Sequence, residues 1–200
     1  MPWAPDYVPV EGEEGLAAFV RAPETDPFLP AYGTAAARAV DDYCGRQFGQ
    51  LAVPGTFTYE GRHAVQLDDG TWVLPVDDVQ DITAAVVTVD GTVVAAGVDG
   101  YRWWERDAVV KGYPYTALRF ADRPCGDVEL LARFGWVAFP AAVVGAVRFQ
   151  VNRWHIRRES PYGIAGSPSS GSEMRLGAQL DPDTKKILAG GRVVRARRPR

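Results

Sequence analysis

The feature that most limits how this chain can fold is the run from Phe139 to Gly166. Pro140 suits a first helical position, where a missing N–H leaves no partner wanting. Val143, Val147, Val151 and Trp154 then recur at steps of four, four and three, so one face of a helix carries them all. Ala142, Ala146, Phe149 and Ile156 widen that stripe. Arg148, Arg153, Arg157 and Arg158 place positive charge along the helix and densest in its last turn, where the helix dipole favours it. Ser160-Pro161 ends the run, because the residue before a proline is pushed out of the α region. Such a helix needs cover on its apolar face.

Upstream, Glu11 to Arg21 reads as a short helix with Leu16, Phe19 and Val20 on its apolar side. Residues 1–9, rich in proline and aromatics, read as extended. Thr34 is positioned to cap a second helix from Ala35 to about Phe48. Within it Ala36, Val40, Tyr43 and Cys44 fall on one side. We expect Val40 and Tyr43 to pack against Val143, Val147, Val151 and Trp154 as one helical core.

From Thr56 the period turns extended. Thr56–Tyr59 and Ala64–Leu67 flank Glu60-Gly61-Arg62-His63, a hairpin candidate. Thr71–Leu74 follows the turn at Asp68-Asp69-Gly70. Ile82–Val89 and Thr92–Ala95 are joined by Asp90-Gly91, a two-residue hairpin signal because both positions tolerate positive φ. Tyr101–Glu105, Tyr115–Phe120 and Asp127–Phe134 complete about seven strands, whose short regular spacing predicts a small antiparallel sandwich or barrel. The fold class is therefore α+β: two N-terminal helices and a long C-terminal helix form a small helical core, with an inserted antiparallel β domain and an extended C-terminal arm. The expected divisions are 1–55, the N-terminal helical part; 56–138, the all-β insert; 139–163, the long core helix; and 164–200, linker and arm. Ile164 to Ser172 has a linker's Gly/Ser/Pro composition. Asp181-Pro182 is a cap-and-proline start for a brief helix over Thr184–Ala189, and Arg192-Val193-Val194-Arg195 reads as a short extended piece.

Net charge is −3, but its distribution is uneven. Residues 1–147 hold ten Arg/Lys against twenty-one Asp/Glu, a balance of −11, and residues 148–200 hold twelve against four, a balance of +8. An acidic body with a basic arm suits an acidic partner for that arm. No apolar run approaches twenty residues, so no membrane-spanning helix is expected. The first six residues lack the basic flank and apolar core of a secretory signal, so export is not expected either. Cys44 and Cys125 stand in unrelated contexts and read as two buried thiols in a reducing compartment in preference to a disulfide.

Few constellations suggest chemistry. His63 and His155 lack Cys, Asp or Glu partners at metal-ligand spacing, and neither a metal nor a cofactor is expected. A Cys44–His155 nucleophile pair has no local signature; a core thiol and a surface imidazole is the preferred reading. Asp41-Asp42, Asp68-Asp69 and Asp77-Asp78 resemble paired catalytic carboxylates, yet adjacent residues point different ways on helices and strands. Gly163-Ile164-Ala165-Gly166 follows a helix instead of preceding one, so it forms no phosphate cradle. The reading is of a protein that is not an enzyme.

Taken together, the chain resembles the head-to-tail connector, or adaptor, family of long-tailed phages in its actinobacteriophage-like form. The residues carrying this are Ala35 to Phe48, ending Cys44-Gly45-Arg46-Gln47-Phe48; Leu74-Pro75 followed by Val79-Gln80-Asp81-Ile82; Asp99-Gly100-Tyr101 and Gly112-Tyr113-Pro114-Tyr115; and Phe134-Gly135-Trp136 leading to Pro140 and Arg157-Arg158-Glu159-Ser160-Pro161. The resemblance implies a structural virion protein in the head–tail neck, assembled in the host cytoplasm. It implies a homo-oligomeric ring of about twelve copies, with the portal protein above and a stopper or tail-completion protein below. DNA would pass through the ring during ejection without specific binding. It also implies that the arm reaches the portal, where the alternating short piece and the basic balance lead us to expect Arg192, Val193, Val194 and Arg195 to add an edge strand and the flanking Arg197 and Arg198 to meet acidic groups. Another virion ring or tail-completion protein is the alternative, followed by a small β-domain enzyme or regulator.

Overall fold

A computed structural model describes residues 6–158, 164–165, 174–175, 180–190 and 193–195. The chain forms two compact units: Gly49–Ala138, and Pro2–Phe48 together with Phe139–Arg200. The α+β class with an inserted antiparallel sheet is thus what the sequence forms.

The helical unit contains α1 (Leu16–Val20), α2 (Leu29–Cys44), α3 (Ala141–Arg158) and α4 (Pro182–Gly190). α1, α2 and α4 all pack on α3. Val143, Val147 and Val151 are fully buried, as is Val40 of α2, so the centre of each predicted stripe lies in the core, while Phe149 and Ile156 at the edge of the α3 stripe are exposed. Removing each such side chain from water is worth about 1.5–3 kcal/mol. Trp154 is half-buried against the Tyr32 ring, 6.2 Å away. Tyr43 departs from the expectation: it is 37% exposed, with the Lys185 ammonium 6.0 Å from its ring centroid. The buried side of α2 runs through Ala36, Ala37, Val40 and Cys44, small and slim enough for close helix packing, and Tyr43 lies beyond its edge.

α2 also begins a turn and a half before Thr34. Pro30 lies in its first turn, and Asp26 accepts the Phe28 N–H at 3.0 Å just ahead of it. Thr34 is inside the helix, its hydroxyl donating to the Pro30 carbonyl and to Asp6. The proline was the stronger start signal, because its fixed φ is already helical. α2 ends at Cys44, where Gly45 takes φ +65° and its N–H returns to the Asp41 carbonyl.

The C-terminal arm differs from expectation over its described part. It is folded back as α4, with Leu188 fully buried and Val193 only 1% exposed. Asp181 begins α4 as predicted, its carboxylate accepting the Asp183 N–H at 3.0 Å. The Arg195 N–H donates to the Cys44 carbonyl at 2.9 Å, occupying an acceptor that the end of α2 leaves open. The linker expected over Ile164–Ser172 lies mostly outside the described residues; Ile164–Ala165 and Met174–Arg175 pair as the short antiparallel strands β8 and β9.

The inserted unit is one seven-stranded antiparallel sheet, where a sandwich or barrel was expected. Its strands are β1 (Gly55–Glu60), β2 (Val65–Gln66), β3 (Trp72–Val89), β4 (Thr92–Val94), β5 (Tyr101–Trp104), β6 (Tyr115–Phe120) and β7 (Asp127–Phe134). The order is β1-β7-β3-β6-β5, with β2 and β4 also on β3. The two runs read as separate strands, Thr71–Leu74 and Ile82–Val89, belong to this single β3. It pairs with β6 through its first part and with β7 through its second, with register shifts around Asp81. Those irregularities hid its continuity, since alternation breaks where a residue is left unpaired. The hairpin expected across Glu60–His63 does not form either. Gly61–His63 is a 3-10 turn, β1 pairs with β7, and β2 pairs with β3. The Asp90-Gly91 turn forms as predicted, with φ 47° and 75°.

Gly135 closes the sheet unit where only glycine fits. Its φ is +107°, and a Cβ there would sit 1.7 Å from the Gly49 carbonyl oxygen. Left-handed strain and overpacking each cost about 1–3 kcal/mol, so Gly135→Ala is expected to destabilise this unit by about 2–6 kcal/mol. Urea unfolding followed by tryptophan fluorescence measures it.

Candidate functional site

Three carboxylate pairs were singled out in the sequence, and the fold separates the members of each. Asp41 is buried while its neighbour Asp42 is exposed. Asp78 is buried and accepts the Trp136 indole N–H at 2.9 Å, whereas Asp77 accepts the Tyr59 hydroxyl at 3.0 Å. Asp69 accepts from Thr71 and from Arg119, and those bonds hold its carboxyl below the usual range, Thr71 contributing most. Asp41, Asp69, Asp77 and Asp78 each tie two segments together.

Asp41 is the most perturbed of the carboxylates. It accepts the Tyr7 hydroxyl, and Arg38 lies 3.1 Å from its other oxygen. The Tyr7 oxygen in turn accepts the Phe48 N–H at 3.0 Å, and the Tyr7 ring meets Phe48 edge-on. Burial pushes Asp41 up to about 6, against the opposing pull of Tyr7 and Arg38. Burial likewise raises the Tyr7 hydroxyl above its ordinary value, with Asp41 adding to the effect. Tyr7 was not anticipated as a core residue. Its only signal was an aromatic among prolines, which is equally the mark of an exposed extended segment.

Cys44 is fully buried, and desolvation pushes its thiol up to about 12, which disfavours the thiolate, whereas Cys125 is exposed and not the buried thiol expected. His155 is not the surface imidazole expected. Its side chain is largely buried beside Asp26, with Nδ1 at 3.9 Å. Arg158 donates to both Asp26 oxygens at 3.0 and 3.1 Å and lies over the Phe28 ring. The Phe28 N–H first, and Arg158 in support, lower the Asp26 carboxyl. This cluster fastens the last turn of α3 to the turn that precedes α2. Among the described residues, no three His, Cys, Asp or Glu side chains are placed to hold a metal ion, and no helix is long and apolar enough to cross a membrane.

What the helical unit offers is a surface. α3 and α4 border a groove of about 610 Å³, lined by Phe149, Ile156 and Ile187 with Arg153, Asp183 and Lys186 around them. Phe149 is 51% and Ile156 58% exposed, two helical turns apart on one face of α3. α4 is held in place along this groove by polar contacts. Gln150, fully buried, accepts the Asp181 N–H at 3.0 Å, and Arg153 meets the Asp181 carboxylate at 2.9 Å. Neither Gln150 nor the groove was read from the sequence, because a glutamine in an apolar stripe carries no signal until its partner is known.

Of the residues assigned to portal contact, Val193 is buried, Arg195 is tied to Cys44 through its backbone, and Val194 is exposed. Arg192, Arg197 and Arg198 lie outside the described residues. No protein-family model matches the chain, and no curated protein matches it.

The buried Asp41 gives two expectations. Tyr7→Phe removes the hydroxyl from both Asp41 and the Phe48 N–H, and leaving such groups unpaired costs about 1–3 kcal/mol, measurable by urea unfolding. The Asp41 carboxyl titrates higher folded than unfolded, so the folded state binds the extra proton between pH 3.8 and about 6. Its contribution therefore falls as pH rises through that window and is constant above it. The stability of Asp41→Asn relative to the parent should rise from about pH 4 to 6 and level off above. A flat difference across that range would remove Asp41 as the titrating group.

Proposed function

We propose that this chain is a head-to-tail connector of a long-tailed phage, a structural protein that forms a ring of about twelve copies in the virion neck between portal and tail. The observation that carries the reading is the discontinuous helical body, built from residues on both sides of an inserted antiparallel sheet and organised around α3. That arrangement supports the implication drawn from the motif order. The charge division supports it separately, since a body with a balance of −11 presents DNA with little that can neutralise phosphate. DNA passes through the ring without specific binding. The portal lies on one side and a stopper or tail-completion protein on the other. No catalysis is part of this role.

The route to the portal is narrower than an edge strand over residues 192–195. Val193 is committed to the core and the Arg195 N–H to Cys44, so the proposed contact with acidic groups of the portal rests on the charge of Arg192, Arg197 and Arg198.

Imaging of the purified protein, alone and with its portal, tests the assignment. Closed rings seated on the portal are expected; a protein that stays monomeric and does not bind the portal overturns it. Arg197→Glu with Arg198→Glu should weaken portal binding at least about tenfold, by replacing attraction with repulsion, while leaving thermal stability unchanged. Any retardation of duplex DNA should be weak and should vanish with added salt.

A further inference from the structure

The register of the sheet sets two arginines against each other. Arg102 of β5 lies directly opposite Arg119 of β6, so both side chains leave the same face of the sheet. The other face is core, with Leu118 fully buried and Tyr101 and Phe120 nearly so. Like charges directly opposite on neighbouring strands destabilise a sheet. The pair therefore costs the unit stability unless an anion lies between the two.

The arginines are held differently. Arg119 is fixed on three sides. Its Nε donates to the Thr71 hydroxyl at 2.8 Å, its Nη2 donates to Asp69, and its guanidinium lies over the Trp104 ring, 4.7 Å from the centroid. Those contacts leave Nη1 unused. Arg102 is half-buried and has no hydrogen bond or ion pair among the described residues. Both arginines line a cavity of about 180 Å³, together with Thr71, Gly97, Val98 and Gly100. No carboxylate lines it: Asp69 and Asp99, the acidic residues nearest in sequence to that lining, are not part of it. Asp69 balances one guanidinium, and the charge of Arg102 is left over.

We propose that this cavity binds a phosphoryl group, held between Arg102 and Arg119. Guanidinium N–H donors match phosphate oxygens in pairs, and two guanidiniums on one group suit a dianion with at least three oxygens better than a carboxylate with two. The cavity has the volume of about six water molecules, enough for such a group. Arg119 is already held in place, so little side-chain freedom is lost on binding. Arg102 gains a partner and the repulsion across the strands is relieved. The site lies wholly in the sheet unit and does not depend on the chain forming a ring.

Isothermal titration of the full chain with sodium phosphate, at neutral pH and constant ionic strength, tests it. One saturable site per chain is expected, with acetate at least about tenfold weaker. Arg102→Gln should weaken phosphate binding at least about tenfold. Arg106→Gln, at an exposed arginine outside the cavity, should leave it unchanged. Circular dichroism establishes that both variants are folded, and the comparison of phosphate with acetate decides on the parent alone if one is not. Phosphate should raise the melting temperature of the parent and of Arg106→Gln but not that of Arg102→Gln. Absence of a saturable site, acetate binding as tightly as phosphate, or equal loss in the two variants overturns the proposal. A short duplex DNA added as competitor identifies the source of the group. Displacement of bound phosphate assigns the site to the nucleic-acid backbone, and no displacement assigns it to free phosphate or a phosphomonoester.

Discussion

The helical unit depends on burying one face of α3. Val143, Val147 and Val151 give that helix a buried apolar stripe, and α1, α2 and α4 all pack on the same helix. Two of the three partners, α1 and α4, are too short to be stable alone, as isolated helices of this length are marginal in water. α1 has five residues and α4 nine. Their helicity is a consequence of packing on α3, and so is the position of the C-terminal segment.

Polar groups then set the register of what packs there. Hydrophobic contact is tolerant of small slides, whereas a buried polar atom without a partner is costly. Gln150 and Arg153 fix the start of α4 through Asp181, and Arg195 reaches the open carbonyl of Cys44. Tyr7 and Asp41 do the same for the N-terminal segment, and Arg158 with Asp26 for the turn before α2. In the sheet unit the same task falls to Asp78 with Trp136 and Asp77 with Tyr59. Of the aspartates that looked like chemistry in the sequence, Asp41, Asp69, Asp77 and Asp78 act as fasteners.

A chain built this way exposes what it does not need for its own stability. The outer face of the β3–β4 hairpin and the α3–α4 groove both keep valine, isoleucine or phenylalanine in contact with solvent. Such patches gain from being covered by another surface.

The sequence by itself determined the kinds of elements and most of their places. The 3.6-residue period of residues 140–158, Asp181-Pro182 before α4, and Asp90-Gly91 between β3 and β4 each act through the chain within a turn or two, so the sequence alone exposes them. It also determined that Val40, Val143, Val147 and Val151 would be core. Partners distant along the chain were settled only by tertiary structure. That β1 pairs with β7 and not with β2 follows from which strands share a buried face, and β3 runs on past Asp81 because β6 and β7 hold its two halves in turn. Tyr43 faces outward and Tyr7 inward for the same reason: an aromatic ring is equally compatible with either side until neighbouring elements take their places. The groove on α3 is of this kind, for Phe149 and Ile156 belong to the predicted apolar stripe, and only the packing of α1, α2 and α4 decided which part of it would stay open.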